Sequence, residues 1–204
     1  TGKYIDLNSI DVWAQRLSYV GELGYELYVQ KNNGKEIYDL IVNIGKDFGL
    51  THCGAHTMDT MRMESGFLHW GHDISPEENQ YQAGLNFAIS YKKPFDFIGK
   101  ENLLKIRDQK LDRRFVMLAL KDSKPGEPLL LYEEPIYLDD KIIGKTTSGN
   151  YSFNYDKNLS FGYINCDFSN EQLVDKYLYI EIEKKKYPAE LLTKPLKANN
   201  FKNI

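Results

Sequence analysis

Two carboxylates, Glu22 and Glu26, sit among glycines and aromatics in "SYVGELGYELYV", residues 18–29. Such groups have two uses. They can form the charged face of a half-exposed strand. One of them can instead accept a two-point hydrogen bond from a flat heterocycle that presents adjacent N–H donors. Read as a strand, residues four apart share a face, so Glu22 and Glu26 point the same way as Ser18, Val20 and Gly24, with Tyr19 opposite unless a glycine bend turns it back. Periodicity leaves both uses open.

Other chemistry-bearing groups carry weaker signals. His52, Cys53 and His56 cluster, and His69, His72 and Asp73 follow. The four-residue step from His52 to His56 suits one helix face, as zinc sites use. Neither a His-Glu-x-x-His motif nor paired Cys-x-x-Cys is present, so no metal is expected and the histidines read as hydrogen-bonding loop and helix-end residues. Cys53 beside them matches no protease signature and reads as an inert thiol. "GKTTSG", residues 144–149, lacks the spaced glycines and following helix of a phosphate loop, and reads as strand and turn. Arg62, among Met58, Met61 and Met63, is too costly to bury without a partner, so it either anchors a carboxylate inside the protein or lies exposed to solvent, and the internal ion pair is expected.

Composition narrows the class. The 204 residues are 42% hydrophobic and 27% charged, with a net charge of −3. That balance supports a buried core and argues against a nucleic-acid partner, whose binding surface normally carries clustered Lys and Arg. No apolar run approaches the roughly 20 residues of a membrane helix, so no membrane association is expected. No signal-peptide pattern appears. The start at Thr1, without Met, suggests a processed product or an expressed piece. Cys53 and Cys166 read as reduced thiols. The expected compartment is the cytoplasm, or the mitochondrial matrix in a eukaryote.

The elements that must position these groups follow from hydrophobic spacing. Residues 16–29 read as a strand pair or a glycine-kinked strand, and Asn32-Asn33-Gly34 as a turn. Ile37, Leu40, Ile41, Ile44 and Phe48 then mark an amphipathic helix lying on a sheet, with Gly49 past its end. A second helix is expected through residues 55–70, with Met58, Met61 and Ser65 on one face. "DISPEENQ" reads as a helix start capped by Ser75, with Pro76 in the first helical position. Ala83, Leu85, Phe87 and Ile89 alternate like a half-buried strand, and "DFIGKENLLKIRDQK" as a short helix. Beyond residue 110 the chain turns to short strands, "RRFVMLALK", "PIYLDDKIIGKTTSG", "LSFGYINC" and "KYLYIEIEKKKYPAELL", with a hairpin around Asp139-Asp140. The fold class is therefore α+β, divided into 1–109 and 110–204, the second part a small antiparallel β-barrel. The first part has few strands for a sheet of usual size and reads as half a domain.

Several segments resemble one family in its own order. "SYVGELGYELYV" is similar to the "YTGE-x-G-x-E" segment of the aminomethyltransferases, typified by the glycine cleavage T-protein. "MDTMRMESGFLHWGHDISPEENQYQAGLNFAI" resembles the family's "D-x-L-R-L-E-x-G…G-x-[DE]…AGLG" region, and "FDFIGKENL" its "DFIGREAL" helix. "IIGKTTSGNYSFNYDKNLSFGYI" resembles a run of its C-terminal barrel. Together they span about residues 16–197. "HWGHD", "KKPFDFIGKENL" and "KTTSGNYS" look closest to the folate-binding C-terminal half of the dimethylglycine and sarcosine dehydrogenases.

The resemblance implies that residues 1–109 are the second part of a folate-binding aminomethyltransferase domain. It implies tetrahydrofolate as cofactor, with Tyr19 and Glu26 contacting the pterin and Glu22 in a structural or exposed role. FAD is implied only where an upstream oxidase domain exists in the same polypeptide. The family's catalytic aspartate lies upstream of the glutamate motif, so no catalytic residue is expected here, and the isolated chain is expected to be inactive. Where glycine-cleavage members carry a folate-contacting arginine, this chain has Met58, with Asp59 retained, which fits the amine-dehydrogenase branch. The implied function is transfer of a one-carbon unit from an N-methyl or aminomethyl amine to tetrahydrofolate, giving 5,10-methylenetetrahydrofolate. Its partners are then a small amine and folate. The alternatives are a non-catalytic folate-binding module on the same fold, and a folate-dependent demethylase of another methyl donor.

Overall fold

The computed structural model describes residues 1–165, 167, 169, 172–173 and 176–197, and Cys166 lies outside them. The chain forms two compact units, Thr1–Ser65 with the segment from Lys197, and Gly66–Leu196. No helix among the described residues is long and apolar enough to cross a membrane.

In the first unit, strand β1 (Gly2–Leu7) pairs antiparallel with β2 (Ile10–Arg16), and β2 with β3 (Tyr25–Tyr28). The β1–β2 turn places Asn8 and Ser9 at φ 57° and 66°, the left-handed pair that matches strand twist in two-residue hairpins. Helix α1 (Gly34–Gly45) and helix α2 (Ala55–Glu64) follow. Of the five apolar residues expected on one face of the first helix, Ile37 is buried, while Ile44 and Phe48 are exposed. Helix α2 stops at Glu64, short of the expected residue 70, and its buried residues are Arg62, Met63 and Glu64 rather than Met58. Gly66, at φ 75°, takes a left-handed conformation that helices do not continue through.

Of the strand pair or glycine-kinked strand expected over residues 16–29, only Arg16, at the end of β2, and Tyr25–Tyr28 are strand, and these two pieces do pair. Residues 17–24 form an irregular connection with Gly21 at φ 70°, so Glu22 and Glu26 do not share a strand. A Cβ on Gly21 would lie 1.9 Å from Ser65 Oγ and 2.9 Å from Ser65 Cβ. Gly21→Ala combines this clash with left-handed strain and is expected to cost about 2–3 kcal/mol. Urea unfolding checks this, and a midpoint like that of the parent chain would contradict the backbone geometry.

The second unit centres on a closed barrel in the order β4-β7-β6-β5-β8-β9, every neighbouring pair antiparallel. Its strands are β4 (Arg113–Leu120), β5 (Pro135–Leu138), β6 (Lys141–Ser152), β7 (Lys157–Asn165), β8 (Leu178–Ile182) and β9 (Lys185–Leu192). The interior packs Val116, Leu118, Leu120, Ile136, Ile143 and Ile180, among others. The hairpin at Asp139 is present, with φ 53°, and "KYLYIEIEKKKYPAELL" folds as a second one through Glu183 and Lys184 at φ 50° and 65°. "GKTTSG" lies wholly within β6, where the register shifts between Thr146 and Ser148.

Two elements expected ahead of the barrel are not formed. Residues 83–90 make a short 3-10 turn at Asn86–Ala88 instead of a strand. Gly84 at φ 70° and bonds from Leu85 N to Gln80 O and from Ala88 N to Leu85 O coil the chain there. "DISPEENQ" forms turns instead of a helix start. Ser75 does cap locally, its N and Oγ donating to Glu78 Oε2 at 2.8 and 2.7 Å, but Asn79 Oδ1 accepts from Tyr81 N and Gln82 N and closes another turn. Side-chain bonding of this kind competes with helix propagation. Helix α3 (Lys100–Arg107) is where the sequence puts it.

Candidate functional site

Strand β3 determines where the second glutamate points. Its register pairs Gln15 with Glu26 and Trp13 with Tyr28, and Ala14 with Leu27 and Arg16 with Tyr25. Alternation sends the first four side chains to one face of the sheet and the second four to the other. The latter lines an apolar groove of about 520 Å³ with Ile5. The Glu26 face carries Trp13, whose ring meets Tyr4 edge-on with centroids 5.0 Å apart. Glu26 is thus an exposed carboxylate on an aromatic strand face.

Tyr28 donates its hydroxyl to Glu26 Oε2. That hydrogen bond to a carboxylate holds the Tyr28 phenol above its ordinary pKa, since ionising it would put two negative charges together. A carboxylate offers about four acceptor positions. With one taken by Tyr28, Glu26 keeps room for a donor pair on a planar ligand.

Glu22 has a different setting. It lies in the 17–24 connection and is ion-paired to Lys197, with its side chain 58% exposed. An exposed pair of this type contributes about 0–1 kcal/mol. Glu22 also borders a depression of about 330 Å³ lined by Arg16, Leu17, Ser18, Leu23 and Gly24. Tyr19 is half-buried in the same connection. The aromatic side chain that bonds Glu26 is Tyr28, which lies two residues on and which the sequence reading passed over, although the Glu-x-Tyr spacing on a strand signals it.

Arg62 is 2% exposed and its Nε lies 3.2 Å from Asp59 Oδ1, the internal ion pair expected of it. His52 Nε2 is 2.7 Å from the Tyr38 hydroxyl, and Cys53 is exposed as a free thiol. The His69 and His72 rings lie with centroids 4.6 Å apart, tilted by 48°. Asp73, by contrast, is buried in the second unit and accepts from Thr147 Oγ1, Ser148 Oγ and His69 N at 2.5, 2.8 and 2.8 Å.

Known proteins place this architecture. Residues 1–93 match the GCVT N-terminal domain, and residues 113–197 the glycine cleavage T-protein C-terminal barrel domain. The chain belongs to the aminomethyltransferase, glycine cleavage T-protein-like, family. Among its relatives, mitochondrial dimethylglycine dehydrogenase of Homo sapiens is 36% identical over 195 residues, covering 95% of this chain and 22% of that protein. The aminomethyltransferase of Symbiobacterium thermophilum is 34% identical over 149 residues, covering 73% of this chain and 39% of that protein. The crystal structure of glycine cleavage system aminomethyltransferase T from Bartonella henselae shares the fold, with a TM-score of 0.78 at 20% identity over 91% of this chain and 50% of that one. The chain therefore spans about a fifth of the dimethylglycine dehydrogenase it matches.

Proposed function

We propose that this chain is a tetrahydrofolate-binding region of an aminomethyltransferase-like protein, serving transfer of a one-carbon unit from an N-methyl or aminomethyl amine. The observation that carries the reading is the exposed Glu26 carboxylate on an aromatic strand face, in a chain of this family. A pterin presents a 2-amino group and an N3–H side by side, and a carboxylate accepts such a pair with both oxygens. Glu26 would hold that pair, with Tyr19 as its aromatic neighbour in the 17–24 connection. Bound tetrahydrofolate supplies the nucleophilic nitrogens that take the one-carbon unit. The residues of this chain bind and orient it, which raises the effective concentration of the reacting groups.

The full protein in this reading is similar to a dimethylglycine or sarcosine dehydrogenase, works on a small amine in the cytoplasm or mitochondrial matrix, and uses FAD only through an upstream oxidase domain. The isolated chain binds without catalysing. We divide it functionally into 1–109 and 110–204.

Calorimetric titration of the chain with tetrahydrofolate tests the reading. Saturable binding is expected. Glu26→Gln, which replaces one acceptor oxygen by an N–H₂ donor facing the ring's own donors, should weaken it by about 100-fold, the cost of losing charge-assisted hydrogen bonds. Equal affinity in the variant would rule out Glu26 as the anchor.

A further inference from the structure

An exposed glutamate has three rotatable side-chain bonds and samples many rotamers, so a ligand that needs one of them must pay for ordering it. Glu26 is exposed, yet its carboxylate is tied to the hydroxyl of Tyr28, two residues along the same strand face. Trp13 stands opposite Tyr28 and Gln15 opposite Glu26. The hydrogen bond therefore draws the carboxylate along the strand toward the Trp13–Tyr28 rings.

We infer that Tyr28 is the positioning residue of this site: its hydroxyl fixes the Glu26 carboxylate beside the Trp13 ring, so that the remaining acceptor positions meet a planar heterocycle with adjacent N–H donors. The inference rests on the tetrahydrofolate reading and deepens it. Tyr28 acts through Glu26, and Tyr25, on the opposite face of the strand, has no part in it.

Tetrahydrofolate titration of the full chain and its Tyr28→Phe, Tyr25→Phe and Glu26→Gln variants tests this, with NMR of Cζ-labelled tyrosine as a readout independent of activity. Tyr28→Phe keeps the ring and removes only the hydroxyl, and should weaken binding about tenfold. Tyr25→Phe should bind like the parent. In the parent chain, the Tyr28 resonance, identified by its loss in Tyr28→Phe, should titrate above the ordinary tyrosine range, return to it in Glu26→Gln, and shift when tetrahydrofolate binds. Parent-like affinity in Tyr28→Phe, with Glu26→Gln impaired, overturns the role of Tyr28 and leaves the folate reading standing. A Tyr28 resonance that tetrahydrofolate leaves unmoved does the same. Parent-like affinity in Glu26→Gln, or no binding by the folded parent, overturns both.

Discussion

Asp73→Ala is expected to destabilise the barrel unit by about 3 kcal/mol. The carboxylate is 1% exposed and accepts from two side-chain hydroxyls of β6, Thr147 Oγ1 at 2.5 Å and Ser148 Oγ at 2.8 Å. It also accepts from His69 N at 2.8 Å within its own turn, which Asp73 N→His69 O and Gly71 N→Ile74 O bonds of 2.8 Å close from the other side. A buried charge survives where several donors surround it. Hydrogen bonds to a charged group are worth about 1.5–3 kcal/mol each, and removing the acceptor strands the donors. Water entering the vacated space offsets part of the loss, so the expected net is well below the sum. Asp73→Asn keeps one acceptor oxygen and should cost about half as much. Urea unfolding of the three proteins orders them parent, Asn, Ala by falling midpoint at similar slope. An Ala midpoint indistinguishable from the parent's would mean the hydroxyl contacts carry no net stability.

The barrel was legible in the sequence because turn residues bound its strands and because β5 and β8 alternate. β8 repeats buried and half-buried positions in strict turn, Leu178, Ile180 and Ile182 inward. β7 obeys another rule: Asn158 through Ile164 are all buried. Ile164 belongs to the interior cluster, so alternation puts Gly162 and Ser160 inside with it and Phe161 and Tyr163 outside. The outer face is buried because the second unit also folds chain across it. Phe115 N bonds Gln82 O at 2.8 Å, and Gly66 lies against Met117 and Pro195. No local pattern reveals a second covering layer. The same blindness explains residues 83–90. Ala83, Leu85, Phe87 and Ile89 alternate as a strand should, but with no partner strand among the described residues the turn at Gly84 prevails.

At the site, local motif and distant partner divide in the same way. Glu26 and Tyr28 are neighbours on one strand, and their contact follows from a two-residue period once the strand is granted. The partner of Glu22, Lys197, is 175 residues away, and the two β6 hydroxyls that donate to Asp73 are 74 and 75 away. Such pairs depend on how the chain returns on itself, which hydrophobic spacing does not encode. Between residues 17 and 24 no strand forms, and Gly21 takes a left-handed φ of 70° that a regular strand does not contain.

Phe161→Ala is the substitution expected to cost most, about 4 kcal/mol, in the range of buried Phe→Ala changes. Phe161 is 1% exposed and the largest of the fully buried side chains. Its ring meets Phe115 edge-on at 5.1 Å and 77°, and Phe115 meets Tyr163 at 5.9 Å and 70°. An edge-to-face pair adds about 0.5–1.5 kcal/mol beyond the area it buries, so truncation removes both the volume and one link of the chain of rings. The neighbouring Tyr163 hydroxyl is buried without a hydrogen-bond partner among the described residues, and burial pushes its pKa well up. A cavity beside it would admit water to that hydroxyl, which should soften the loss slightly. Phe161→Leu keeps most of the volume but loses the ring contact, and should cost about 1.5 kcal/mol. Phe153→Ala is the internal control: that ring is 71% exposed and has little but its edge-on contact with Tyr151 to lose, so its loss should stay within about 1 kcal/mol. Urea unfolding of all four proteins decides the matter. If Phe161→Ala falls no further than Phe153→Ala, the outer face of β4 and β7 is not a second core, and the uninterrupted burial of β7 needs another explanation.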